Sequence, residues 1–157
     1  MYENVKMPDG MSTETLEHLM NPKNYGKLEK PSCIGVALDE KTKEYVIFYT
    51  ILDNGIIKDV RFATNGCQDT VVIGSMFTEM IKDNDIDYAN GAIAKMYEKL
   101  GELTPQQKIC AEIVFSAFLA SLKNFENLKE GKDEELHLFK MKESCEAKNM
   151  PLGEDNG

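Results

Sequence analysis

Tyr45-Val46-Ile47-Phe48-Tyr49-Thr50-Ile51-Leu52-Asp53-Asn54-Gly55-Ile56-Ile57-Lys58-Asp59-Val60-Arg61-Phe62-Ala63-Thr64 is the stretch that decides the fold. Its first half is dense in β-branched and aromatic residues, the mark of a strand covered on both faces. Asn54-Gly55 tolerates positive φ at both central turn positions, so the chain reverses there as a tight hairpin. The second half, Ile56 to Thr64, alternates, with Val60 and Phe62 on its core side. Upstream, Cys33 to Leu38 alternates too, with Ile34, Val36 and Leu38 on one face, and Asp39 to Lys43 is a polar turn. These segments predict a three-stranded antiparallel meander. Its first and third strands flank the second, run the same way, and end at the same sheet edge.

Helices are expected on either side of the meander. Ser12 or Thr13 can cap a short helix through Leu16, Leu19 and Met20, which Asn21-Pro22 ends. Asp69 or Thr70 is the expected cap of a helix reaching about Lys82, with Val72, Ile73, Met76 and Met80 inward. Ile86 to Leu100 reads as one or two helices. Thr104-Pro105-Gln106-Gln107 has the form of a capping box with proline at the first helical position. The helix it opens should reach about Phe125, with Cys110, Ile113, Val114, Ala117, Phe118 and Ser121 on one stripe. The expected fold class is α+β, with helices mainly on one face of the sheet. Residues 1–126 are taken as one domain. Residues 127–157 hold eight acids against five lysines and are taken as an acidic C-terminal extension, partly helical or disordered.

Bulk properties narrow the function. The 157 residues carry 42% hydrophobic side chains, enough for a core, and a net charge of −9, which speaks against binding nucleic acid. No apolar run approaches the roughly 18 residues of a membrane span, and the first ten residues lack a signal-peptide core, so no membrane association and a cytoplasmic location are expected. Four cysteines, at 33, 67, 110 and 145, are too widely spread for a small disulfide scaffold. Cys67 stands between a strand end and a helix start, where thiols are exposed and ionise more readily than in a core. Cys110 lies in the second turn of its helix, beside the apolar stripe. No nucleophile–base–orienter set is apparent, so the chain is not expected to be an enzyme.

Several motifs occur in a telling order. His18-Leu19-Met20-Asn21-Pro22-Lys23-Asn24-Tyr25-Gly26 resembles the H-x-x-N-P-x-N-x-G opening of the IscU/NifU N-terminal type of iron–sulfur cluster assembly scaffold. Phe62-Ala63-Thr64-Asn65-Gly66-Cys67 is similar to that family's F-x-T-x-G-C motif, and Gly74-Ser75-Met76 and Thr78-Glu79-Met80 follow in place. Lys108-Ile109-Cys110-Ala111 stands where the family has I-H-C-S. The resemblance runs from about Thr13 to Phe125. It implies a scaffold on which a labile [2Fe–2S] cluster, or iron, is held and passed to acceptor proteins, with sulfur from a cysteine desulfurase. It also implies that Cys67 and Cys110 are two of three ligand cysteines, and leaves a homodimer open.

The chain departs from that pattern at the turn of the first two strands. The family's C-G-D cysteine is absent, and Asp39-Glu40-Lys41-Thr42-Lys43 stands there. Asp39 or Glu40 is the expected oxygen ligand. Cys33 is six residues earlier, on the order of 20 Å along a strand, and Cys145 lies outside the matched motifs. Both are expected to be dispensable for metal. Ile109 replaces a frequent histidine, and Leu103-Thr104-Pro105-Gln106-Gln107 replaces the L-P-P-V-K segment that a dedicated chaperone recognises in some members. Two alternatives share the fold. One is a regulatory or desulfurase-docking protein without a cluster, and the other a zinc-binding protein.

Overall fold

The hairpin forms where Asn54-Gly55 places it, with φ of 55° and 79° at the two turn residues. A computed structural model describes residues 13–141. In it, β2 (Tyr45–Asp53) and β3 (Ile56–Thr64) pair antiparallel through this turn, with a register irregularity at Ile51/Leu52. The strand β1 (Cys33–Asp39) pairs antiparallel with β2, Leu38 facing Tyr45 and Cys33 facing Thr50. As the meander requires, the ends of β1 and β3 lie together.

Among the described residues, the sheet has four strands rather than the expected three. Residues 137–141, within the extension expected to be partly helical or disordered, form β4 (His137–Met141), parallel to β1, giving the order β3-β2-β1-β4. The cause is a side-chain clamp just ahead of it. The Asn124 side-chain amide donates to the Glu134 carbonyl and carboxylate, and Asn127 donates to the same carboxylate oxygen at 2.9 Å. The chain is thereby laid back along β1. The Ser12 cap, Cys145 and the rest of the acidic extension beyond Met141 lie outside the described residues.

Among the described residues, four helices accompany the sheet: α1 (Thr13–Met20), α2 (Gln68–Ile81), α3 (Ile86–Leu100) and α4 (Pro105–Lys129). The segment 86–100 is one helix, started by the Asp85 side chain accepting from the Tyr88 amide. The capping box at Thr104 forms in full, and α4 extends one turn past Phe125. The longest helix, α4, packs on β1, β2 and β4, while α2 packs on β3. Two glycines permit this closeness. A Cβ on Gly35 would collide with the α4 backbone at Ser121 and Ala117, and one on Gly74 would strike the Phe62 ring at 2.5 Å. Between the layers, Phe48 meets Phe62, Phe77 and Phe118 with centroids 5.8–6.2 Å apart. Burying such rings contributes roughly 1.5–3 kcal/mol each.

The alternation of β1 orients its side chains. Cys33, Gly35, Ala37 and Asp39 are buried on the helix side, and Ile34, Val36 and Leu38 are half-buried on the other. Asp39 therefore faces the same layer as α4.

Candidate functional site: two thiols at the sheet edge

The loop after β3 is held by its own polar side chains. The Thr64 hydroxyl donates to the Tyr45 carbonyl at 2.6 Å and accepts from the Gly66 amide. The Asn65 side chain accepts from the Tyr45 amide at 2.8 Å and donates to the Lys43 carbonyl. The β3–α2 loop is thus tied to the β1–β2 turn at the shared sheet edge. Cys67 comes next. It is itself the N-cap of α2, with extended backbone (φ −81°, ψ −178°), and its carbonyl accepts from the Thr70 and Val71 amides. Asp69 and Thr70, the caps expected from residue preference, lie inside the helix. No side chain caps it.

Cys110 arrives from the other direction. The box at Thr104 fixes where α4 begins, and Cys110 sits in its second turn, fully buried against the core. Its sulfur lies 3.6 Å from that of Cys67, which is exposed. The Gln106 amide approaches the Cys110 sulfur at 3.8 Å, and the Thr70 hydroxyl lies 3.9 Å from that of Cys67. Neither neighbour is expected beside the thiols from the sequence motifs, although the spacing of both is legible there. Gln106 is one helical turn before Cys110, and Thr70 is three residues after Cys67. Burial pushes the Cys110 thiol up to about 12; Thr70 and Gln106 pull it back, and the adjacent Cys67 adds to the rise. A nearby cation would oppose that rise and favour the Cys110 thiolate.

The sulfur separation has chemical meaning. Two metal–sulfur bonds of about 2.3 Å at a tetrahedral angle place their sulfurs about 3.8 Å apart. The 3.6 Å between the Cys67 and Cys110 sulfurs is close to that spacing.

The expected oxygen ligands are not drawn in with them. Among the described residues, no group of three or more His, Cys, Asp or Glu side chains converges in ligating geometry. Asp39 is 1% exposed at the end of β1. Its Oδ1 accepts from the Lys41 and Thr42 amides, and its Oδ2 is buried with no hydrogen-bond partner. Such an orphaned carboxylate oxygen is costly without a partner or an ion. Glu40 pairs with Lys140 across the β1–β4 end at 3.7 Å.

Cys33 is a core residue. It faces Thr50 at the opposite end of β1, is 2% exposed, and its thiol is pushed up to about 12 by burial against the pull of Ser121 and Thr50. The histidines have structural partners. His18 is buried between the Ser75 hydroxyl (2.6 Å) and the Glu79 carboxylate (3.3 Å), and His137 pairs with Glu134. The H-x-x-N-P-x-N-x-G segment is a tether. The Lys23 amide donates to Ser75, the Asn24 side chain to Thr78, and the Gly26 amide to the Phe62 carbonyl. It thereby docks α1 and the following loop on α2 and β3. No helix among the described residues is long and apolar enough to cross a membrane.

Comparisons with known proteins agree with this architecture. The chain is 33% identical over 125 residues to the iron–sulfur cluster assembly scaffold protein IscU of Aquifex aeolicus, covering 78% of this chain and 79% of that one. It is 30% identical over 145 residues to IscU 1 of Archaeoglobus fulgidus, covering 88% and 93%. Among solved structures, the N-terminal part of a NifU-like protein from Brucella abortus superposes with a TM-score of 0.56 at 16% identity. That match covers 74% of this chain and 94% of the other, and it shows the fold. Residues 11–132 match the profile of the NifU-like N terminal domain. The chain belongs to the family of the NifU-like N terminal domain.

Proposed function

We propose that this chain is an iron–sulfur cluster assembly scaffold that holds iron or a labile [2Fe–2S] cluster on Cys67 and Cys110 and passes it to acceptor proteins. The observation that carries this reading is the 3.6 Å separation of the two sulfurs. It matches a pair of thiolates on one tetrahedral metal. Asp39, with its orphaned buried Oδ2, is the carboxylate that completes the set, and Glu40 is its neighbour in sequence. Sulfur comes from a cysteine desulfurase, the donor that the resemblance to the scaffold family implies. The protein holds and hands on its cargo rather than turning over a substrate. Oxygen ligands hold a soft cluster less firmly than thiolates, so the cargo is labile.

The same sulfur geometry suits zinc, and zinc is the second reading. Anaerobic reconstitution with iron and sulfide, followed by metal and sulfide analysis, separates the two. A scaffold takes up iron and sulfide together and yields them to an apo-acceptor. A zinc protein retains zinc against iron. A regulatory homologue takes up neither. Asp39→Ala should release the cargo faster while leaving the thiol pair in place.

A further inference from the structure

The two thiols form more than a pair of ligands. They are in van der Waals contact, 3.6 Å between sulfurs, and join segments 43 residues apart in sequence. A disulfide needs a sulfur separation of about 2.05 Å, so closure requires the two sulfurs to approach by roughly 1.6 Å. Asn65, Gly66 and Cys67 belong to neither a strand nor a helix, and Cys67 is exposed. The partner cannot leave. Cys110 is fully buried on a 25-residue helix. One thiol is thus open to an oxidant, and the other waits beneath it, shielded from direct attack. The remaining core thiol, Cys33, lies at the far end of β1 and is no competitor.

We propose that Cys67 and Cys110 form a reversible redox dithiol that a small-molecule disulfide oxidises to an intramolecular disulfide, and that this oxidised state excludes metal or cluster from the site. The Cys67 thiolate attacks one sulfur of the small disulfide. A mixed disulfide forms on Cys67, and one small thiolate leaves. Cys110 gives its proton to solvent, attacks the Cys67 sulfur, and expels the second small thiolate. Two protein thiols lose two electrons in all, and one small disulfide becomes two thiols. Both ligand sulfurs are then bonded to each other, and neither can act as a thiolate. Conversely, a bound metal occupies both sulfurs and protects them.

The exclusion of cargo rests on the scaffold reading, whereas the disulfide itself does not. The test uses the full chain, both unaltered and as a Cys33→Ala, Cys145→Ser variant, so that the remaining thiols cannot confuse the count. Reduced, metal-free protein is incubated with oxidised glutathione. Intact mass, thiol titration and peptide mapping are then read. The expected product is about 2 Da lighter than the reduced chain, has two fewer titratable thiols, and yields a linked peptide pair carrying Cys67 and Cys110. Reduction with dithiothreitol restores both thiols. Zinc added before the oxidant slows the reaction at least tenfold, and zinc added after it is not retained. A lasting glutathione adduct on Cys67 with Cys110 still free, or a disulfide between two chains, would overturn the proposal. If the unaltered chain and the variant disagree, the linked peptide in the unaltered chain decides. Failure of the reduced protein to take up iron and sulfide would count against the scaffold reading alone.

Discussion

Gly35→Ala is the sharpest perturbation of the contact between α4 and the sheet. A Cβ at this position would lie 2.6 Å from the Ala120 carbonyl carbon, and closer still to the Ser121 nitrogen and the Ala117 oxygen. All three are backbone atoms, so no rotamer change relieves the clash. Ordinary contact needs about 3.5 Å, so α4 must retreat by roughly 1 Å or more along much of its length. The displaced face carries Ala117, Phe118 and Ser121, all buried, and the same rigid helix carries Cys110. Overpacking of this kind costs about 2–4 kcal/mol. In a domain of this size that is roughly a 10 °C fall in Tm. Urea unfolding followed by circular dichroism gives the difference directly. Gly91→Ala, in α3, is the matched control. Nothing lies within 4 Å of its added Cβ, and a helical glycine-to-alanine change should stabilise by about 0.5–1 kcal/mol. A Gly35→Ala protein as stable as the parent would refute the close packing of α4 on β1.

Two further outcomes follow from the titrating groups, and a third from the site. Burial raises the Cys33 thiol from 9.0 to about 12, so the folded state holds its proton more tightly than the unfolded chain. That contribution is complete below pH 9 and is lost as pH rises from 9 through about 12. The unfolding midpoint should therefore drop over that range, and Cys33→Ala should flatten the drop; an unchanged slope would contradict it. Glu134 behaves oppositely. Asn127, Asn124 and His137 hold its carboxyl down from 4.5 to about 2, so its contribution is present above pH 4.5 and lost as pH falls through 2. Glu134→Gln should be less stable than the parent at neutral pH, and the gap should close near pH 2. Metal uptake should release protons and strengthen as pH rises, because the buried Cys110 thiol must ionise to bind. A proton count by calorimetry in buffers of different ionisation heat checks this.

The sequence shows the meander and two of its consequences without help from contacts. Asn54-Gly55 sets the turn, and the antiparallel register then brings the ends of β1 and β3 to one edge. The capping box at Thr104 sets the phase of α4, and so the turn on which Cys110 sits. What stayed hidden depended on distant partners. β4 has two adjacent exposed apolar residues, Leu138 and Phe139, and therefore no alternation to mark a strand. Its place is set by Asn124 and Asn127 gripping Glu134 and by pairing with β1, far away in sequence. The α2 cap was misplaced for a related reason. Residue preference favours Asp69 or Thr70, whereas the loop geometry fixed by Thr64 and Asn65 starts the helix at Cys67. The contact between the two sulfurs joins both kinds of information. Local signals place each cysteine near the edge, and only the packing of α2 and α4 closes the last few ångströms.

The central claim is that Cys67 and Cys110 hold the cargo together. The most direct test is iron and acid-labile sulfide per chain after anaerobic reconstitution, measured for the parent, Cys67→Ala and Cys110→Ala, with circular dichroism confirming that each is folded. Two thiolates on one metal act as a unit, so either substitution alone should reduce uptake about as much as both together, to below roughly a tenth of the parent's. Both single variants retaining iron and sulfide at the parent's level would contradict the account.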